Sequence, residues 1–150
     1  MKLLKSTLLM FALLATVLVG CKKSSDPELT LAQKISKKWK VSSAKINGTA
    51  SNMFANTTVT FQSDATGAAT GYTVSLGGAT ASFSFTTGGS GSWEINSTAT
   101  AITFDKGTNQ QNVVNVIGTL SETGFTIEWK MPKAVDKTEP TYTLVLVPSI

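Results

Sequence analysis

The sequence contains no histidine, no arginine and a single cysteine in 150 residues. Without an imidazole there is no base for a Ser-His-Asp or Cys-His nucleophile. Zinc sites built on His or on several Cys are excluded on the same ground. Without a guanidinium there is no bidentate clamp for phosphate or carboxylate. Charge is sparse as well: 13 lysines stand against 9 acids. In place of these groups there are 23 Thr, 16 Ser and 12 Gly. Threonine is β-branched and favours strands, and its hydroxyl suits the wet face of a half-buried sheet.

Residues 1–20 follow the pattern of a secretory signal peptide. Lys2 and Lys5 form a positive start, and Leu8 to Val19 is an apolar run broken only by Thr16. The run is too short, and its flanks are wrong, for a stable membrane span. Leu18-Val19-Gly20-Cys21 then resembles the bacterial lipobox. The resemblance implies that the Cys21 thiol is alkylated with diacylglycerol, the chain is cut before it, and the new amine is acylated. An ordinary signal peptide with an incidental Cys is the alternative. No other cysteine is present to compete for Cys21 in a disulfide. Several acyl chains make a durable anchor, because each buried methylene contributes about 0.8 kcal/mol.

Residues 21–27 then read as a lipidated tether, whose Lys22 and Lys23 suit anionic headgroups. Lys22, where an Asp would resemble an inner-membrane retention signal, implies export to the outer membrane. The tether lacks the acidic run that resembles a surface-export signal. The expected location is therefore the cell envelope, on the periplasmic face of an outer membrane. Without the two signal lysines the net charge is 11 − 9 = +2, too little to suggest nucleic acid. The dense cluster Lys34, Lys37, Lys38, Lys40 and Lys45 reads as a solvated helix face near the membrane.

The remaining residues, 28–150, make one domain. Asp26-Pro27-Glu28 predicts a helix start, and Leu31, Ile35 and Trp39 share one helical face, so a helix near 28–37 is expected. After Trp39 the period changes to two. Alternation runs from Val41 to Ile46, through Val59 and Phe61, and through Tyr72, Val74 and Leu76. It continues with Ala81, Phe83 and Phe85, with Trp93 and Ile95, and with Ile102 and Phe104. Val114, Val116 and Leu120, then Phe125, Ile127 and Trp129, then Tyr142, Leu144 and Leu146 complete it. Asn47-Gly48, Gly88 to Gly91, Asp105-Lys106-Gly107 and the polar stretch 131–140 separate the runs as turns and loops. About eight to nine short strands in this rhythm predict an all-β, antiparallel up-and-down barrel with a short N-terminal helix; a β-sandwich is the alternative.

The lipobox, the Trp39 junction, Gly91-Ser92-Trp93 opening a middle strand and the following Ile102-Thr103-Phe104 together resemble the lipocalin-like domain of small bacterial lipoproteins. The lipocalin signature has Gly two residues before its first Trp, where this chain has Lys37, and an Arg that caps that Trp, which this chain lacks. The resemblance implies a barrel that binds a small hydrophobic ligand. Its candidate lining is Trp93, Ile95, Phe104, Val116, Ile127, Trp129 and Leu144. A second reading is an adaptor lipoprotein that docks a protein or glycan through an exposed sheet face, with the tryptophans or Tyr72 and Tyr142 as the platform. No catalytic set, metal site or cofactor is expected. Ser42-Ser43-Ala44-Lys45 matches S-x-x-K, but it falls in a predicted strand and lacks its partner motifs. Glu94 and Glu128 are each adjacent to a tryptophan, so if the tryptophans point inward the acids point to solvent. There nothing raises a carboxyl into the range of a general acid.

Overall fold

The computed structural model describes residues 28–79, 86, 89–131 and 139–150. The proposed signal and tether, the expected strand at Ala81-Phe83-Phe85 and most of the 131–140 loop lie outside the described residues.

Among the described residues one short helix, α1 (Leu31–Ile35), precedes nine strands. They are β1 (Lys38–Ile46), β2 (Thr49–Ala50), β3 (Thr58–Ser63), β4 (Ala69–Ser75), β5 (Ser90–Ile95), β6 (Ala101–Phe104), β7 (Asn112–Ser121), β8 (Gly124–Lys130) and β9 (Thr141–Pro148). Every pairing is antiparallel, and the order is β2-β1-β3-β4-β5-β6-β7-β8-β9 with β1 also paired to β9. That last pairing closes eight strands into an up-and-down barrel. It runs from Trp39 opposite Pro148 to Ile46 opposite Tyr142, interrupted by a bulge at Val41–Ser43. A sandwich would leave these two edges apart. β2 is the extra strand, folded back on β1 over Asn47-Gly48, whose φ values of 50° and 80° are both left-handed. A tight two-residue hairpin turn of this hand requires just that pair of conformations.

Alternation places one face of every barrel strand inward. Trp39, Val41 and Ala44 of β1, Val59 and Phe61 of β3, Tyr72 of β4 and Trp93 of β5 are all buried. So are Ile102 and Phe104 of β6, Val114 and Val116 of β7, Phe125, Ile127 and Trp129 of β8, and Tyr142, Leu144 and Leu146 of β9. The outward positions carry the threonines and serines, as on β3, where Thr58, Thr60 and Gln62 alternate with Val59 and Phe61.

Two local expectations need correcting. The helix begins at Leu31 and not near residue 28, because Thr30 caps it. The Thr30 hydroxyl accepts from Gln33 N at 3.1 Å, and the Gln33 side chain accepts from Thr30 N at 2.9 Å. It ends by Ser36, whose hydroxyl bonds the Ala32 carbonyl at 2.7 Å, so Trp39 belongs to β1 and not to the helix. Consequently Lys38, Lys40 and Lys45 stand on the outward face of a strand, and not on a helix face. Likewise Ser90 and Gly91 open β5 and are not a turn. Gly91 pairs with Tyr72, and a Cβ there would collide with the Asp105 carboxylate.

Candidate functional site

The strand directions give the barrel two ends. At one end α1, the β3–β4 turn, the end of β5, the β5–β6 turn and the β7–β8 turn come together. At the other end lie the β1–β3 connection, the β6–β7 turn, the end of β8 and the start of β9.

The second end is filled by aromatic rings. Phe54, from the β1–β3 connection, sits edge-on to both Trp129 and Tyr142 at 6.1 Å. Trp129 and Tyr142 stack on each other at 5.2 Å with planes 17° apart. The middle is filled in the same way: Phe61 meets Trp93 at 4.7 Å, Phe104 at 6.0 Å and Phe125 at 6.4 Å. Trp39 meets Phe125 edge-on at 4.8 Å and ties the helix to the barrel by donating from Nε1 to the Ile35 carbonyl at 2.8 Å. Lys37 lies 5.5 Å from the centre of the Trp39 ring. A cation therefore covers this indole.

The first end is open. A cleft of about 600 Å³ is lined by Thr30, Leu31 and Ala32 of the helix region, by Gly67, Ala68 and Ala69 of β3–β4, and by residues 93–97. Its walls are held by specific bonds. The Asp64 carboxylate accepts from Thr66 N at 2.9 Å, Thr66 Oγ1 at 2.7 Å and Ala68 N at 2.9 Å, which shapes the turn. The bond from the Thr66 hydroxyl, and then those from the backbone, hold the Asp64 carboxyl below the usual carboxylate range. The turn presents Gly67, at φ 85°, against the helix cap, where Thr30 Oγ1 donates to the Gly67 carbonyl at 2.8 Å. On the far wall Asn96 Oδ1 accepts from Thr100 N at 2.8 Å and Ala101 N at 3.1 Å. Trp93 forms the floor, with Nε1 donating to the Gln62 carbonyl at 2.8 Å. Leu31, Ala32, Ala68, Ala69, Trp93 and Ile95 are the apolar part of its lining.

The seven expected lining residues therefore divide. Trp93 and Ile95 reach the open cleft. Phe104, Val116, Ile127, Trp129 and Leu144 are buried in the packed interior. None of Trp39, Trp93, Trp129, Tyr72 and Tyr142 is exposed, so no aromatic platform of these residues faces solvent. Cys21 lies outside the described residues. Three wall residues, Gly67, Ala68 and Ala69, were not singled out by the periodicity, because the β3–β4 turn supplies them. Phe54 was missed as well; a lone aromatic in the polar stretch 47–58 was its only signal.

The two acids flanking tryptophans both face outward, Glu94 paired with Lys106 at 2.7 Å and Glu128 accepting from Thr143 Oγ1 at 3.4 Å. They stand on β5 and β8, three strand spacings or about 14 Å apart along the wall, beyond the separation that glycoside hydrolysis uses. Ser42 lies at the β1 bulge and donates to the Val145 carbonyl at 3.2 Å. Among the described residues no cluster of three or more Cys, Asp or Glu could hold a metal, and no helix is long and apolar enough to cross a membrane.

The most unusual polar group inside the barrel wall is Asp105. Its Oδ2 accepts from the Tyr72 hydroxyl at 2.7 Å, and both residues are buried. Burial first, then the bond to Asp105, pushes the Tyr72 phenol up to about 12, with Thr86 pulling slightly the other way. Comparison with protein-family models and with curated proteins gives no match for this chain.

Proposed function

We propose that this protein is a lipoprotein of the cell envelope, anchored through acylated Cys21, whose lipocalin-like barrel binds a small hydrophobic ligand without catalysis. The cleft at the helix end of the barrel carries the reading. Its volume of about 600 Å³ falls within the roughly 300–1,000 Å³ of small-molecule sites, and it joins an apolar floor to a few fixed polar groups. Leu31, Trp93 and Ile95 supply the apolar contact; Thr30, Asn96 and Ser97 edge it. The anchor rests on the lipobox-like Leu18-Val19-Gly20-Cys21. The periplasmic face of the outer membrane is the proposed location.

Two measurements test the two halves. Cells fed labelled palmitate should label the wild-type protein and not C21S; equal labelling of both rejects the anchor. An environment-sensitive apolar dye should bind the mature chain, and Ala68→Trp should weaken it at least tenfold. Ala68 is exposed and lines the cleft, so the substitution fills the site and spares the core. Unchanged dye binding by A68W rejects the cleft as the ligand site.

The adaptor reading keeps one observation in its favour. Val113 and Ile117 are exposed on the outward face of β7, where a partner's apolar surface would dock. V113D/I117D losing an envelope partner while retaining the dye would favour it.

A further inference from the structure

The outward face of β1 carries Lys38, Lys40 and Lys45, and none of them makes an ion pair among the described residues. The neighbouring outward positions are uncharged. They are Thr58, Thr60 and Gln62 on β3, Thr73 and Ser75 on β4, and Thr143, Val145 and Val147 on β9. Among the described residues, Glu139 precedes Thr141, which bonds Asn47 at the far end of β1, and two further acids flank this face. Glu128 shares the Lys45 row but lies beyond Thr143, and Glu122 sits in the turn whose carbonyl accepts from Lys37 Nζ at 3.2 Å. The result is a stripe of free ammonium groups on a field of hydroxyls and short apolar side chains. Lys38 to Lys45 spans seven residues, about 23 Å along a strand.

We propose that this stripe lies against the anionic headgroups of the membrane and lays the barrel on its side. The inference rests on the Cys21 anchor proposed above. Six residues, and so seven Cα-to-Cα steps, separate Cys21 from Glu28, the first described residue, so the covalent chain reaches about 25 Å at most. The helix leads directly from there into β1. The anchor thus holds β1 within reach of the bilayer, and where the stripe touches the surface its lysines lie within the short distance over which headgroup charge is felt. A positive stripe with no ion-pair partner among the described residues meets the surface to which it is tethered.

The test uses the whole mature chain carrying C21S, so that no acyl chain contributes. Vesicles of phosphatidylcholine with phosphatidylglycerol should capture it at low salt, and vesicles of phosphatidylcholine alone should not. K38E/K40E/K45E should lower capture about 100-fold, at about fivefold or more per lysine. K130E/K133E/K137E changes the net charge equally and should lower capture far less. Equal losses in the two triple variants overturn the proposal, and so does absence of capture by anionic vesicles. Tighter retention of a double-stranded oligonucleotide than of vesicles through Lys38, Lys40 and Lys45 also overturns it. Palmitate labelling of K38E/K40E/K45E with Cys21 intact reads the anchor separately, so failure of one reading does not imply failure of the other.

Discussion

At the scale of residues, Asp105 shows how a barrel wall accommodates a carboxylate. It has a left-handed φ of 53°, which costs free energy in a residue with a side chain. Its surroundings leave it no alternative. Its N–H donates to the Ser92 carbonyl at 2.8 Å, its carbonyl accepts from Thr108 Oγ1 at 2.8 Å, and its carboxylate takes the space beside Gly91 and the Tyr72 proton. An alkaline signature follows. An unfolded tyrosine ionises near 10, whereas folded Tyr72 is pushed up to about 12. The stabilisation is complete below pH 10 and is lost as pH rises towards 12, because only the unfolded chain releases the proton in that window. About 2–3 kcal/mol is expected to disappear across it. Urea unfolding of Tyr72→Phe should show a flatter limb there. A residual slope should remain from Tyr142, which burial also raises.

At the scale of elements, the helix is the marginal piece. It has five residues, too few to stand on propensity, and it is held by its cap and by Ala32, Ile35 and the Trp39 indole. Thr30→Ala removes the cap bond and the bond to Gly67 together. A loss of about 1–2 kcal/mol is expected in denaturant unfolding, with weaker dye binding because one cleft wall slackens. The strands were legible in the sequence, since period-two alternation at Val59-Phe61 or Phe125-Ile127-Trp129 has no other physical meaning. The helix boundary was not. Asp26-Pro27 is a good starting signal, but the helix starts at the Thr30 cap, which a contact from Thr30 to Gly67, 37 residues away, helps to fix. The lysines were displaced with it, from an imagined helix face to a real strand face. The cleft was half legible. Trp93 and Ile95 face inward by alternation, but the opposite wall is built from Gly67, Ala68 and Ala69, whose place depends on the fold.

At the scale of the molecule, a loop residue, Phe54, helps to fill the barrel at the end away from the helix. Phe54 sits between Trp129 and Tyr142 and is fully buried. Phe54→Ala should cost about 3–5 kcal/mol and leave a void among the rings. Thermal unfolding should detect the loss, and an apolar dye should then find a second site. Aromatic side chains pack much of the interior, and removing one of them is expected to create a cavity.

The pairing of β1 with β9 has a further consequence, for the order of events as the chain is made. Trp39 meets Pro148, more than 100 residues later. A chain delivered N-terminus first exposes β1 long before its last partner arrives. Until then the growing sheet has two open borders, each with unpaired N–H and C=O groups ready to join another chain. Closure across so long a separation is slow as well, because loop entropy must be overcome before the contact is made. The unfinished protein is therefore a risk to its neighbours, and the finished one is not, because arrival of the last strand removes both borders at once.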